Sequence, residues 1–84
     1  MDSKAQAFVE EAIRAVARGD VAGARTSVAQ AYDTDHTLGA VADAIYLACW
    51  QIEEDGLVTT STWNTLADAV GSGHLLAVVE ESRS

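Results

Sequence analysis

An all-α fold, a small single-domain bundle of four to five short helices, is what this 84-residue sequence predicts. Three observations carry the prediction. Proline is absent and alanine is the commonest residue, so the strongest helix breaker is missing and the best helix former is widespread. Apolar residues recur at helical spacing over most of the chain. Asp, Ser and Thr stand before these runs and Gly stands after them, where helix caps belong.

The first helix is expected from about Lys4 to Arg18. Ala5, Phe8, Val9, Ala12, Ile13 and Val16 form its apolar stripe, and Gln6, Glu10, Glu11, Arg14 and Arg18 face water. Ser3 with Gln6 fits a capping box. Glu10 precedes Arg14 by four residues, the favoured order for a helical ion pair. Gly19 ends this helix and Asp20 caps the second, from about Val21 to Tyr32. Val21, Ala24, Val28, Ala31 and Tyr32 are its expected buried face. So short a turn makes the first two helices an antiparallel hairpin.

Asp33 to Thr37 is a polar break. The third helix, from about Leu38 to Glu53, is the most apolar segment. Leu38, Val41, Ala42, Ile45, Ala48, Cys49 and Ile52 form one face, while Ala40, Ala44, Tyr46, Leu47 and Trp50 cover much of the other. A helix apolar nearly all round is covered on more than one side, by the chain's own helices or by another subunit. Glu53, Glu54 and Asp55 crowd its C-terminus, where acids oppose the helix dipole and call for solvation or a cation.

Leu57 to Thr60 reads as a short extended piece. A fourth helix follows from about Thr62 to Val70, capped by Thr60 or Ser61, with Trp63, Leu66, Ala67 and Val70 inward. Gly71-Ser72-Gly73 is a turn. For His74 to Glu81 periodicity does not separate helix from strand. Helix is the expectation, because a strand would find only residues 57–60 to pair with.

The length holds one domain, residues 1–84. Such a domain buries only about 60–65% of the surface its unfolded chain exposes, so it needs good helix packing or a second subunit. Cys49 is the single cysteine, which rules out an internal disulfide and fits a reducing, cytoplasmic setting. The N-terminus lacks the apolar core of a signal peptide, and no apolar run approaches the ~20 residues of a membrane span.

Charge is divided unevenly. From Thr26 to Ser82 there is no Lys or Arg, against nine acids. With Arg83 this accounts for the net charge of −8, since the first 25 residues balance four acids with four bases. Phosphate backbones and anionic membranes are therefore unfavourable partners, and neither nucleic acid nor membrane binding is expected. Basic protein surfaces and cations remain. An acidic, lysine-poor surface is also a proteome-wide trait of salt-loving hosts.

Three short patterns bear on function. Gly19 to Ala24 with Val28 and Ala31 resembles the turn and second helix of a tetratricopeptide unit, over about 25 residues. The aromatic and glycine signature of that unit's first helix is missing, and no second repeat follows. Gln51 to Thr62 resembles an EF-hand loop: Asp55-Gly56 matches its fifth and sixth positions and Val58 its eighth. Gln51 and Thr62 stand where the loop's first aspartate and last glutamate belong, so Glu53, Asp55 and Thr59 are left as a candidate weak cation site. The third and fourth helices also have the order of a DNA-binding helix pair, but Thr62 to Val70 has no basic residue to meet a phosphate.

No metal set is expected: His36, His74 and Cys49 are not at ligand spacing. No nucleophile elbow, phosphate loop or zinc-protease motif is present, and no Asp-Ser-Leu stands ready for a phosphopantetheine arm. Neither a cofactor nor an enzymatic activity is expected.

Tyr46, Leu47, Trp50 and Trp63 are the functional candidates. Tyr46 and Trp50 lie one turn apart on the second face of the third helix. They are either packed under the fourth helix and C-terminal segment or exposed as a docking patch or dimer seam. The expected function is a non-catalytic interaction module that pairs with itself or with a protein partner through these four residues. The alternatives are a weakly cation-responsive protein and an acidic inhibitor or nucleic-acid mimic of a basic protein.

Overall fold

The computed structural model describes the backbone of residues 3–83 and the side chains of residues 3–80. Five α-helices follow one another: α1 (Ser3–Ala17), α2 (Val21–Thr34), α3 (Gly39–Asp55), α4 (Thr60–Val70) and α5 (Ser72–Arg83). A 3₁₀ turn, His36–Leu38, leads into α3. The fold is a small all-α bundle. Each helix packs on its neighbours in sequence, and α5 closes back onto α1. The radius of gyration, 11.4 Å, matches the roughly 12 Å of a compact chain this long.

The α1–α2 hairpin is the most extensive contact in the molecule. Ala5, Val9, Ala12, Ile13 and Val16 of the expected stripe are buried, and Phe8 is half-buried. Ala15 is buried as well, as are the small Ala24 and Ala31 of α2. At the turn, Asp20 N–H donates to the Ala15 carbonyl at 2.8 Å and Gly19 N–H to that of Val16 at 2.9 Å. This double closure is a Schellman motif, and it needs the left-handed φ of +75° that Gly19 supplies. The Asp20 carboxylate then caps α2 by accepting from Gly23 N–H at 3.0 Å. At the N-terminus, Gln6 donates forward to Glu10 at 3.1 Å. Ser3 is already helical, so the residue before α1 is Asp2, which lies outside the described residues.

Several sequence expectations are corrected. Tyr32 is exposed, with its ring 5.0 Å from that of His36. It adjoins Ala31 on the helix but lies about 100° round from it, off the stripe that faces α1. Leu38 is buried, yet in the 3₁₀ turn and not in α3. α3 runs on to Asp55 and stops at Gly56, whose φ of +77° turns the chain. Residues 57–59 are an irregular link, and no strand occurs among the described residues. The cap of α4 is Thr59: its hydroxyl accepts from Thr62 N–H at 3.4 Å, and the Thr62 hydroxyl accepts from Thr59 N–H at 3.2 Å. Threonine here fills the place that Glu or Gln takes in the usual capping box. The glycine turn shrinks to Gly71, and α5 starts at Ser72 with Leu75 and Val78 in the core.

Gly23 and Asp20 are coupled, since a Cβ at Gly23 would collide with the Asp20 carboxylate. Asp20→Ala is expected to cost about 1 kcal/mol. Gly23→Ala alone is expected to yield little of the ~1 kcal/mol that Ala gains over Gly in a helix, and to yield it fully in the Asp20→Ala background. Urea midpoints of the four proteins measure this; additive effects would contradict it.

Candidate interaction surface

The two faces of α3 have opposite fates. Ala42, Ile45, Ala48, Cys49 and Ile52 point into the bundle, and Ile45 and Cys49 have no exposed surface. Tyr46, Leu47 and Trp50 point out, with 41%, 47% and 56% of their surfaces in water. The helix turns ~100° per residue, so residues 46, 47 and 50 share one arc and residues 45, 48, 49 and 52 the other. Of the two readings of the aromatic face, packing beneath α4 and α5 does not occur for Tyr46, Leu47 or Trp50.

Two shallow grooves flank this arc. Tyr46 borders the one between α2 and α3, whose floor is Ala29, Gly39 and Ala42 and whose far wall is Tyr32. Leu47 borders the one between α3 and α4, with Ala44, Thr65 and Ala69. Thr65 donates to Gln51 Oε1 at 3.3 Å, which ties α4 to α3 along this second groove. Trp63 lies elsewhere. It lines a cleft of about 410 Å³ between α4 and α5 with Ala67, Leu75, Leu76 and Val79. Thr65 and Trp63 are two residues apart, so α4 directs them to opposite flanks. The structure brings Tyr46, Leu47 and Trp50 together and leaves Trp63 out.

Acids surround the exposed arc. Asp33 borders the first groove, Asp68 the second and Asp43 both. Glu54 follows Trp50 by one turn of α3. None of these four carboxylates takes part in an ion pair among the described residues. Arg25 of α2 is the nearby base, and it is bound to Glu53. Sequence reasoning missed Tyr32, Leu57 and Leu76 as exposed apolar residues. Tyr32 and Leu76 each stand beside a core residue, Ala31 and Leu75, and the one-residue offset was the available signal.

Two side chains of the loop read as EF-hand-like have partners within the protein. Glu53 holds Arg25, Thr59 caps α4, and Asp55 is the last residue of α3. Among the described residues no three His, Cys, Asp or Glu side chains group as a metal-holding cluster. Burial raises the Cys49 thiol pKa, with Arg25 lowering it and Glu53 raising it by smaller amounts; a thiol so placed is a poor nucleophile. No described helix is long and apolar enough to cross a membrane. Comparison with protein-family models, curated proteins and solved structures returns no match. The surface itself must therefore carry the functional reading.

The two tryptophans should report separately. Trp50 is expected to give the red-shifted emission that acrylamide quenches readily, and half-buried Trp63 the shielded component. Trp50→Phe should remove the accessible component and Trp63→Phe should leave it. Equal quenching in the two variants would contradict the assignment.

Proposed function

We propose that this protein is a non-catalytic interaction module whose working surface is the outer arc of α3. The observation that carries the reading is the exposure of Tyr46, Leu47 and Trp50 side by side on one helix whose opposite residues Ala42, Ile45, Ala48, Cys49 and Ile52 are buried. Each apolar Å² left in water forgoes about 25 cal/mol that burial would return. Trp and Tyr dominate the energetics of protein interfaces, because each offers a large area for few frozen torsions. Scattered single apolar residues are ordinary on a surface, whereas these three share one arc of one helix, with a groove beside Tyr46 and another beside Leu47.

The reading covers both a second copy of the chain and a different protein. Trp63, in the α4–α5 cleft, stands outside the surface so defined. A cytoplasmic setting goes with the proposal, supported by the single cysteine, a free thiol within the core.

Trp50→Ala tests the proposal, with Gln30→Ala on the exposed side of α2 as the control. Trp50 is mostly exposed, so its removal should leave helicity and the urea midpoint nearly unchanged. Light scattering across concentrations reads self-association, and capture on immobilised wild type and both variants reads partners. The expected result is an association kept by Gln30→Ala and lost by Trp50→Ala. A strictly monomeric protein whose captured partners ignore Trp50→Ala would defeat the reading.

A further inference from the structure

We infer that the occupant of this surface is an amphipathic helix with a basic polar face, supplied by another protein and not by a second copy of this chain. The inference rests on the reading of the outer arc of α3 as the working surface. It is carried by the rim of that arc. A standard interface takes about 800 Å² from each partner, roughly one-sixth of the 4659 Å² this chain exposes. The stripe of three side chains is too narrow to supply that alone. Any stable partner must also cover the residues beside it, and these include Asp33, Asp43, Glu54 and Asp68.

A second copy fails on charge. A two-fold dimer sets the same patch against itself, so four carboxylates would meet the same four. The chain has no Lys or Arg from Thr26 to Ser82 to answer them, and Arg25 is already held by Glu53. Each like-charge pair at contact distance costs about 1 kcal/mol even in water and more as the interface dries. A partner with Lys or Arg flanking an apolar stripe meets the rim with the right sign and the centre with the right hydropathy.

The geometry favours a helix. Among the described residues there is no strand, so no sheet edge is available for an added strand. Tyr46 and Trp50 form an i, i+4 ridge and Leu47 and Trp50 an i, i+3 ridge, with one groove beside Tyr46 and another beside Leu47. Ridges and grooves of that spacing are what a second helix interlocks with. The small residues Ala29, Gly39 and Ala42 that line the first groove leave room for a partner's side chains.

A pair of synthetic amphipathic helices of about four turns tests this, one Leu/Lys and one Leu/Glu with the same leucine pattern. Amide NMR shifts of the folded protein report where each binds. The Leu/Lys helix is expected to bind, to shift Tyr46, Leu47, Trp50, Asp33 and Asp68 together, and to weaken with salt. Asp43→Asn with Asp68→Asn should weaken it on the order of tenfold. The charge-matched pair Glu10→Gln with Glu11→Gln, on α1, should change it little. Equal binding of both helices, or equal loss from both double variants, would overturn the basic-partner inference and leave the α3 reading standing. Self-association that Trp50→Ala abolishes, with no binding of Leu/Lys, would overturn it in favour of a second copy. Leu/Lys binding that ignores Trp50→Ala would overturn both.

Discussion

The inner face of α3 is the contact on which the rest of the molecule depends. Ile45, Ala48, Cys49 and Ile52 are buried there, where α3 packs chiefly on α4 and α2 and to a lesser extent on α1. The α1–α2 hairpin forms one wall, with small residues at Ala24 and Ala31 that bring the helices close. α4 is fixed beside α3 by the Thr65–Gln51 hydrogen bond and by the fully buried Leu66 and Thr62. α5 closes the ring by returning to α1. α1, α2 and α4 are enough to enclose one face of α3. Among the described residues no helix covers the other face, and Tyr46, Leu47 and Trp50 stand in water there.

Electrostatics follow from the same arrangement. Three successive acids end α3, where the helix dipole disfavours them. The fold relieves one of them by bringing Arg25 from α2 onto Glu53. An exposed pair of this kind contributes little to stability. Its larger consequence is that Arg25 is already engaged, while Asp33, Asp43, Glu54 and Asp68 take part in no ion pair among the described residues.

The helices, the hairpin and the buried stripe of α1 were legible in the sequence, because 3.6-residue periodicity and end caps are local properties. The Asp20 cap and the Gly19 stop are of that kind. Which face of α3 is inside was not legible, since hydropathy is high on both. Residue size held the only clue: Ala42, Ala48 and Cys49 suit a tight helix contact, and Tyr46 and Trp50 do not. The Arg25–Glu53 pair joins residues 28 apart, a separation that no local rule reaches. Trp63 was grouped with Trp50 by residue type, whereas its direction is set by its place on α4. Thr59 escaped notice as a cap because its reciprocal partner is Thr62 and not an acid or amide.

The account turns on the claim that adjacent residues of α3 face opposite worlds, and thiol labelling tests it most directly. Cys49, buried and free, provides one probe. The double variant Cys49→Ala, Trp50→Cys provides the other, one residue along. Each is labelled with a neutral reagent in the folded state and again in urea, and the ratio of rates removes intrinsic differences in reactivity. The account predicts that position 50 reacts almost as fast folded as unfolded, while Cys49 reacts only when the bundle opens. A thiol at position 50 as protected as Cys49 would show that the outer arc is covered, and would contradict the account.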